Sequence, residues 1–166
     1  AEAQSRLESA RLLDRLYQTD HAIEQLEAVI ALEPAAPHGA LPLAWLRIGE
    51  AKDRLGIRVE AVAAYRTAQA LAPSPDVHGV RETAAEHLRR APDARKAEAY
   101  RLSLDGWRQF EQNRPDAAVA TLGRSLALDG TDPVARYRMG RVLQARAQDA
   151  AALAQFESTI RYAKTC

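Results

Sequence analysis

Residues 45–73 carry Trp45-x2-Ile48-Gly49 and then Ala61-x3-Tyr65-x2-Ala68-x4-Pro73, a sequence of large, small and terminating side chains at helical spacing. Large and small residues three and four apart put a knob and a gap on one helix face. Two short antiparallel helices with such faces interlock, and Gly49 and Ala61 fall where their axes come closest. A larger side chain there would push the axes beyond the usual separation of about 8–10 Å. Gly56 lies between the two runs and predicts the turn.

The same frame returns as Met139-Gly140 followed by Ala152-x3-Phe156, and more weakly as Gly106 with Ala118-x3-Leu122. Gly106 to Gly140 and Ala118 to Ala152 are both steps of 34 residues. A fixed period of this length is the mark of a repeat array. At the amino end Ala22-x3-Leu26-x2-Val29-x4-Pro34 matches the second half of the unit, with Leu7, Ala10, Leu13 and Leu16 three apart before it.

These residues resemble the tetratricopeptide repeat, whose helix–turn–helix unit follows W-x2-L-G-x2-Y, then A-x3-F and P. The resemblance implies an all-α, right-handed superhelical array of antiparallel helix pairs. Its repeats are expected at about 3–34, 42–75, 99–132 and 133–166, in one domain spanning 1–166. Between the two pairs of repeats, residues 76–98 lack the A-x3-F signature and predict an irregular joining helix.

Local signals refine this frame. Asp20 is expected to cap the second helix and Pro34 to end it; Pro34 to Gly39 reads as an exposed connector. Ser74-Pro75-Asp76 predicts an N-cap with proline in the first turn, and Pro92-Asp93 the start of a long helix to about Asn113. Asp132-Pro133 opens the last repeat.

The chain has 166 residues, of which 47% are hydrophobic, much of that alanine, and only 5% aromatic. That mixture suits close helix packing better than a sheet core. With 23 basic and 22 acidic side chains the formal charge is +1, too even for nucleic acid or an anionic membrane as the main partner. No apolar run approaches the length of a membrane-spanning helix, so no membrane insertion is expected. The excess of arginine over lysine fits a GC-rich bacterial source. Cys166 is the sole cysteine, which excludes an internal disulfide and leaves the compartment, cytoplasmic or periplasmic, undetermined. A start at alanine and a helix-like end predict a fragment of a larger protein.

Catalytic and metal motifs are missing. His21, His38, His78 and His87 are scattered, and the nine-residue offset between the last two puts them on opposite sides of a helix. Asp129-Gly130-Thr131-Asp132 is followed by Pro133-Val134-Ala135, which supply no calcium ligands, so it predicts a turn and N-cap. Phosphate-cradling glycine loops and a G-x-S-x-G nucleophile elbow do not occur. No enzyme and no cofactor are expected.

A stack of this kind offers instead a concave surface lined by the first helix of each repeat. The expected groove residues are Leu46, Arg47, Glu50 and Arg54, then Tyr100 and Trp107, then Tyr137, Arg138 and Arg141. Leu7, Glu8, Arg11, Leu43, Leu104, Glu111 and Val134 extend the stripe. Rings beside guanidinium groups suit a peptide or protein partner, the ring giving buried area and arginine meeting a carboxylate. Relatives that grip a chaperone's terminal carboxylate use lysine, asparagine and arginine on this stripe; the chain's only asparagine, Asn113, lies at a helix end. A scaffold for a protein or peptide is therefore the expected function. The alternative is a structural spacer or self-association module, with a homodimer through the last helix.

Overall fold

The computed structural model describes residues 1–33 and 39–163. The expected connector at Pro34–His38, the role of Pro34 as a helix stop, and Cys166 lie outside the described residues. Nine helices and no strand occur among them: α1 (Glu2–Arg15), α2 (Thr19–Ala31), α3 (Ala40–Arg54), α4 (Arg58–Leu71), α5 (Val80–Arg89), α6 (Ala94–Glu111), α7 (Pro115–Leu128), α8 (Pro133–Ala145) and α9 (Asp149–Ala163). They form two compact units, one ending at Pro92 and the other beginning at Asp93. In the first, each helix packs on the next, and α1, α3 and α5 also touch in succession. In the second, α6 to α9 do the same, with α8 reaching back to α6. The fold class is thus all-α, made of packed helix pairs as in an α–α superhelix.

Four of these pairs close through one turn. Tyr17, Gly56, Asn113 and Ala147 all have positive φ, between 56° and 72°. The amide of the next residue donates across each turn, from Gln18 to Leu13 O, Ile57 to Lys52 O, Arg114 to Gln109 O and Gln148 to Leu143 O, at 2.9–3.0 Å. This is the Schellman closure of a helix end, which satisfies a carbonyl the helix leaves open. Recurrence of the turn makes the chain a helical repeat on its own internal evidence. Only Gly56 adopts the left-handed backbone without a steric cost; a side chain there costs about 1–2 kcal/mol. Ala147→Gly should therefore raise stability by about 1 kcal/mol, read as a higher urea midpoint with an unchanged slope.

Counting from the turn residue gives every hairpin one register. Seven residues before it stand Ala10, Gly49, Gly106 and Gly140, and nine after it Leu26, Tyr65, Leu122 and Phe156. A Cβ on Gly49 would lie 2.4 Å from the Tyr65 ring, one on Gly106 2.7 Å from Leu122, and one on Gly140 2.5 Å from the Phe156 ring. Five after the turn stand Ala22, Ala61, Ala118 and Ala152, all at most 2% exposed. Small residues at the crossing are thus what lets each pair nest.

Several helix starts differ from expectation. Helix α2 begins at Thr19 with Gln18 as its N-cap, so Asp20 lies inside the first turn and favours it through the helix dipole. Helix α5 begins only at Val80, four residues beyond Asp76. The Asp76 carboxylate still serves it, accepting from Val80 N at 3.1 Å and Arg81 N at 2.8 Å. The Arg81 amide hydrogen bond is the main reason that carboxyl is held below the usual range. Within 76–98, α5 ends at Arg89, and α6 starts at Ala94 where Pro92-Asp93 predicts a helix start, capped by Asp93 through Arg95 N and Lys96 N. The Asp129 turn is closed by Thr131, whose amide and hydroxyl both donate to Asp129 Oδ1, and Asp132 caps α8 through Val134 N.

Candidate binding groove

In the first unit, α1 and α3 are the leading helices of adjacent hairpins, and a groove of about 590 Å³ runs between them. Its walls come from equivalent register places on both helices. Gln4, Glu8, Arg11 and Arg15 face it from α1, and Leu43, Arg47, Glu50 and Arg54 from α3. Leu7, Ala10, Leu26 and Ala51 are buried and form an apolar floor, and His78 also lines the groove. The side chains thirteen, nine, six and two residues before each turn fall on one helical stripe, since those offsets advance by three and four.

Charges in the groove are arranged in pairs. Arg11 meets Glu8 at 2.7 Å and Arg47 meets Glu50 at 2.8 Å, each within one helix. Arg54 of α3 meets Asp14 of α1 and so ties the two walls together. Arg15, at the rim, is in no ion pair among the described residues. Half-exposed pairs of this kind contribute roughly 0–1 kcal/mol each, so a ligand group can displace one at small cost.

Behind α3 lies a polar cluster that the sequence reading did not find. Asp53 is only 7% exposed, and its Oδ2 accepts from Tyr65 Oη at 3.1 Å and from Arg58 Nη1 at 2.6 Å. Arg58 also donates to His87 O at 2.8 Å and Leu88 O at 3.2 Å, closing the end of α5. The His87 ring stacks on Tyr65 with centroids 5.0 Å apart, and its Nε2 lies 3.6 Å from Glu50. His87 thus connects the groove wall to the core of α4. Burial, with the Asp53 carboxylate beside it, pushes the Tyr65 hydroxyl far above its ordinary ionisation range. One signal pointed here: tyrosine stands where the repeat pattern has phenylalanine, and a buried hydroxyl needs a partner.

The nine expected groove residues separate into two sets, one per unit. Arg47, Glu50 and Arg54 line the groove described above. Leu46 does not: it is 3% exposed and belongs to a core cluster with Tyr65, Val80 and Ala84, because α5 covers that side of α3. In the second unit, Arg138 is 6% exposed and donates to Ser103 Oγ at 2.8 Å, so it packs α8 against α6 instead of facing a ligand. Tyr137 and Arg141 form an exposed pair, with Arg141 Nη1 3.0 Å from Tyr137 Oη. Trp107 is half-buried against Phe110 at 5.3 Å, and Tyr100 is half-buried nearby in α6.

No group of three or more histidine, cysteine, aspartate or glutamate residues suited to a metal occurs among the described residues. Among them, no helix is long and apolar enough to cross a membrane.

The protein so described is a helical-repeat protein of packed hairpins. No protein-family model matches the chain, and no curated protein does. Among solved structures it is similar to the crystal structure of MamA, which it matches over 98% of this chain and 79% of that chain, at 15% identity and a TM-score of 0.41.

Proposed function

We propose that this protein is a non-catalytic interaction scaffold of the tetratricopeptide type, and that the groove between α1 and α3 holds an extended or helical segment of a partner protein. The supporting observation is the groove itself: an apolar floor lined on both sides by charged side chains at matching register places, tied across by Arg54 and Asp14. Apolar floors supply affinity, and displaceable rim charges supply specificity. Arg15, Arg11 and Arg47 on the rim favour a segment carrying carboxylates, which guanidinium groups hold in two-pronged fashion. Tyr137 and Arg141 offer a second, smaller contact on the other unit.

Selection of randomised linear peptides on the intact chain tests this reading. Enriched peptides should carry acidic residues beside an apolar anchor, and Leu43→Glu or Arg47→Glu should weaken them at least about tenfold, a loss of about 1.4 kcal/mol. Arg138→Lys, at a buried place, should leave them unchanged. Peptides whose binding ignores both groove substitutions would refute the assignment.

A second reading, self-association as a spacer within a larger assembly, is favoured by the exposed apolar side chains Leu12 and Leu16 on α1 and Leu153 and Ile160 on α9.

A further inference from the structure

Inside each unit the hairpins stack through two matching stripes. Six and thirteen residues after the turn, α2 offers Ile23 and Ile30, and α7 offers Val119 and Leu126. Ile23 is 9% exposed, Ile30 packs on a core cluster that includes Ala40, Ala44 and Ile48 of α3, and Val119 and Leu126 pack on one that includes Met139 and Val142 of α8. At the same two places α9 carries Leu153 and Ile160, which are 57% and 59% exposed. The face of α9 is therefore built as a stacking face and is uncovered among the described residues.

What covers it in register must present the complementary stripe: small or apolar residues twelve, eight and five places before the turn. In α3 these are Ala44, Ile48 and Ala51, and in α8 they are Ala135, Met139 and Val142, all at most 7% exposed. In α6 they are Arg101, Asp105 and Arg108, which are charged and exposed. In α1 they are Ser5, Ser9 and Leu12, followed by Leu16 beside the turn; Leu12 is 53% and Leu16 66% exposed. Among the described hairpins, α1 alone has this stripe both apolar at its end and uncovered. It lies beside the groove-lining stripe of α1 and shares no place with it.

From this complementarity we propose that a second copy of this chain occupies the α9 face, docking its α1 there as α3 docks on α2. Each copy gives a different surface to the contact, so the interface is head-to-tail and leaves one donor and one acceptor face free. Association then continues past the dimer into chains or closed rings.

Sedimentation of the wild-type chain over a range of concentrations should show mass rising beyond two copies. Leu153→Glu/Ile160→Glu and Leu12→Glu/Leu16→Glu should each be monomeric with unchanged circular dichroism, because all four residues are exposed. Mixing these two variants should give one dimer and nothing larger, since each retains the face the other lacks. Three results would overturn the proposal: a wild type monomeric up to about 1 mM; association undisturbed by either pair of substitutions; or a dimer formed by the α1 variant alone, which would mean α9 meeting α9. The groove reading survives all three, because its test reads peptide binding.

Discussion

Tyr65→Ala should unfold much of the first unit's stability margin, by about 3–5 kcal/mol. The ring is fully buried between α3 and α4, lies against Gly49 and stacks on His87. Truncation leaves a cavity that the backbone of α3 cannot fill, and takes one of two donors from the nearly buried Asp53 carboxylate. A domain holds only about 5–15 kcal/mol in total, so the loss is a large fraction of it. Tyr65→Phe separates the two causes: it keeps the packing and removes only the hydroxyl, at about 1–2 kcal/mol. The two tryptophans make the measurement local. Trp45 reports the first unit and Trp107 the second, so the urea midpoint should fall in a chain that keeps Trp45 alone, Trp107 having been changed to phenylalanine.

Gly140→Leu is the corresponding experiment in the second unit. A bare Cβ would already stand 2.5, 2.8 and 3.0 Å from three atoms of the Phe156 ring, and leucine adds three more carbons. The gain in helix propensity over glycine is about 0.8 kcal/mol, smaller than the overpacking cost of about 3 kcal/mol or more. Ala152 is the one buried residue of α9 and Phe156 the ring that packs it on the core, so displacing that ring should detach this helix first. Loss of helical circular dichroism equal to one helix, before the main transition, would show this. The first hairpin supplies a control, since Ala10 and Leu26 hold the same two places there. Gly140→Ala should therefore cost less in a Phe156→Leu background than alone; equal costs in both would mean that the ring contact does not set the limit.

Much of the fold was legible because packing constraints leave marks at short range. Gly49, Ala61, Gly140 and Ala152 sit at helix crossings as their spacing requires, Gly49 and Gly140 each against an aromatic ring. Capping was legible only where the side chain acts next to its helix. Asp93 and Asp132 do so, whereas Asp76 reaches amides four and five residues away, a geometry set by the loop it closes. The residues of the expected stripe differ in their surroundings, and the differences have tertiary causes. Leu46 and Tyr137 occupy the same register place, yet α5 buries the first while the second stays 44% exposed. Arg47 and Arg138 are likewise equivalent, but the small polar Ser103 on α6 draws the second inward. The Asp53 cluster joins residues from three helices, and no spacing along the chain announces such a meeting.

The charged stripe of α6 decides where this architecture can be lengthened. A hairpin placed in register ahead of α6 would have to bury Arg101 and the Asp105–Arg108 ion pair, at a desolvation cost of several kcal/mol per ion. Insertion of a further hairpin in register directly ahead of α6 is thus disfavoured. That cost is set by charge on α6 itself, and changing the loop before the helix would not remove it.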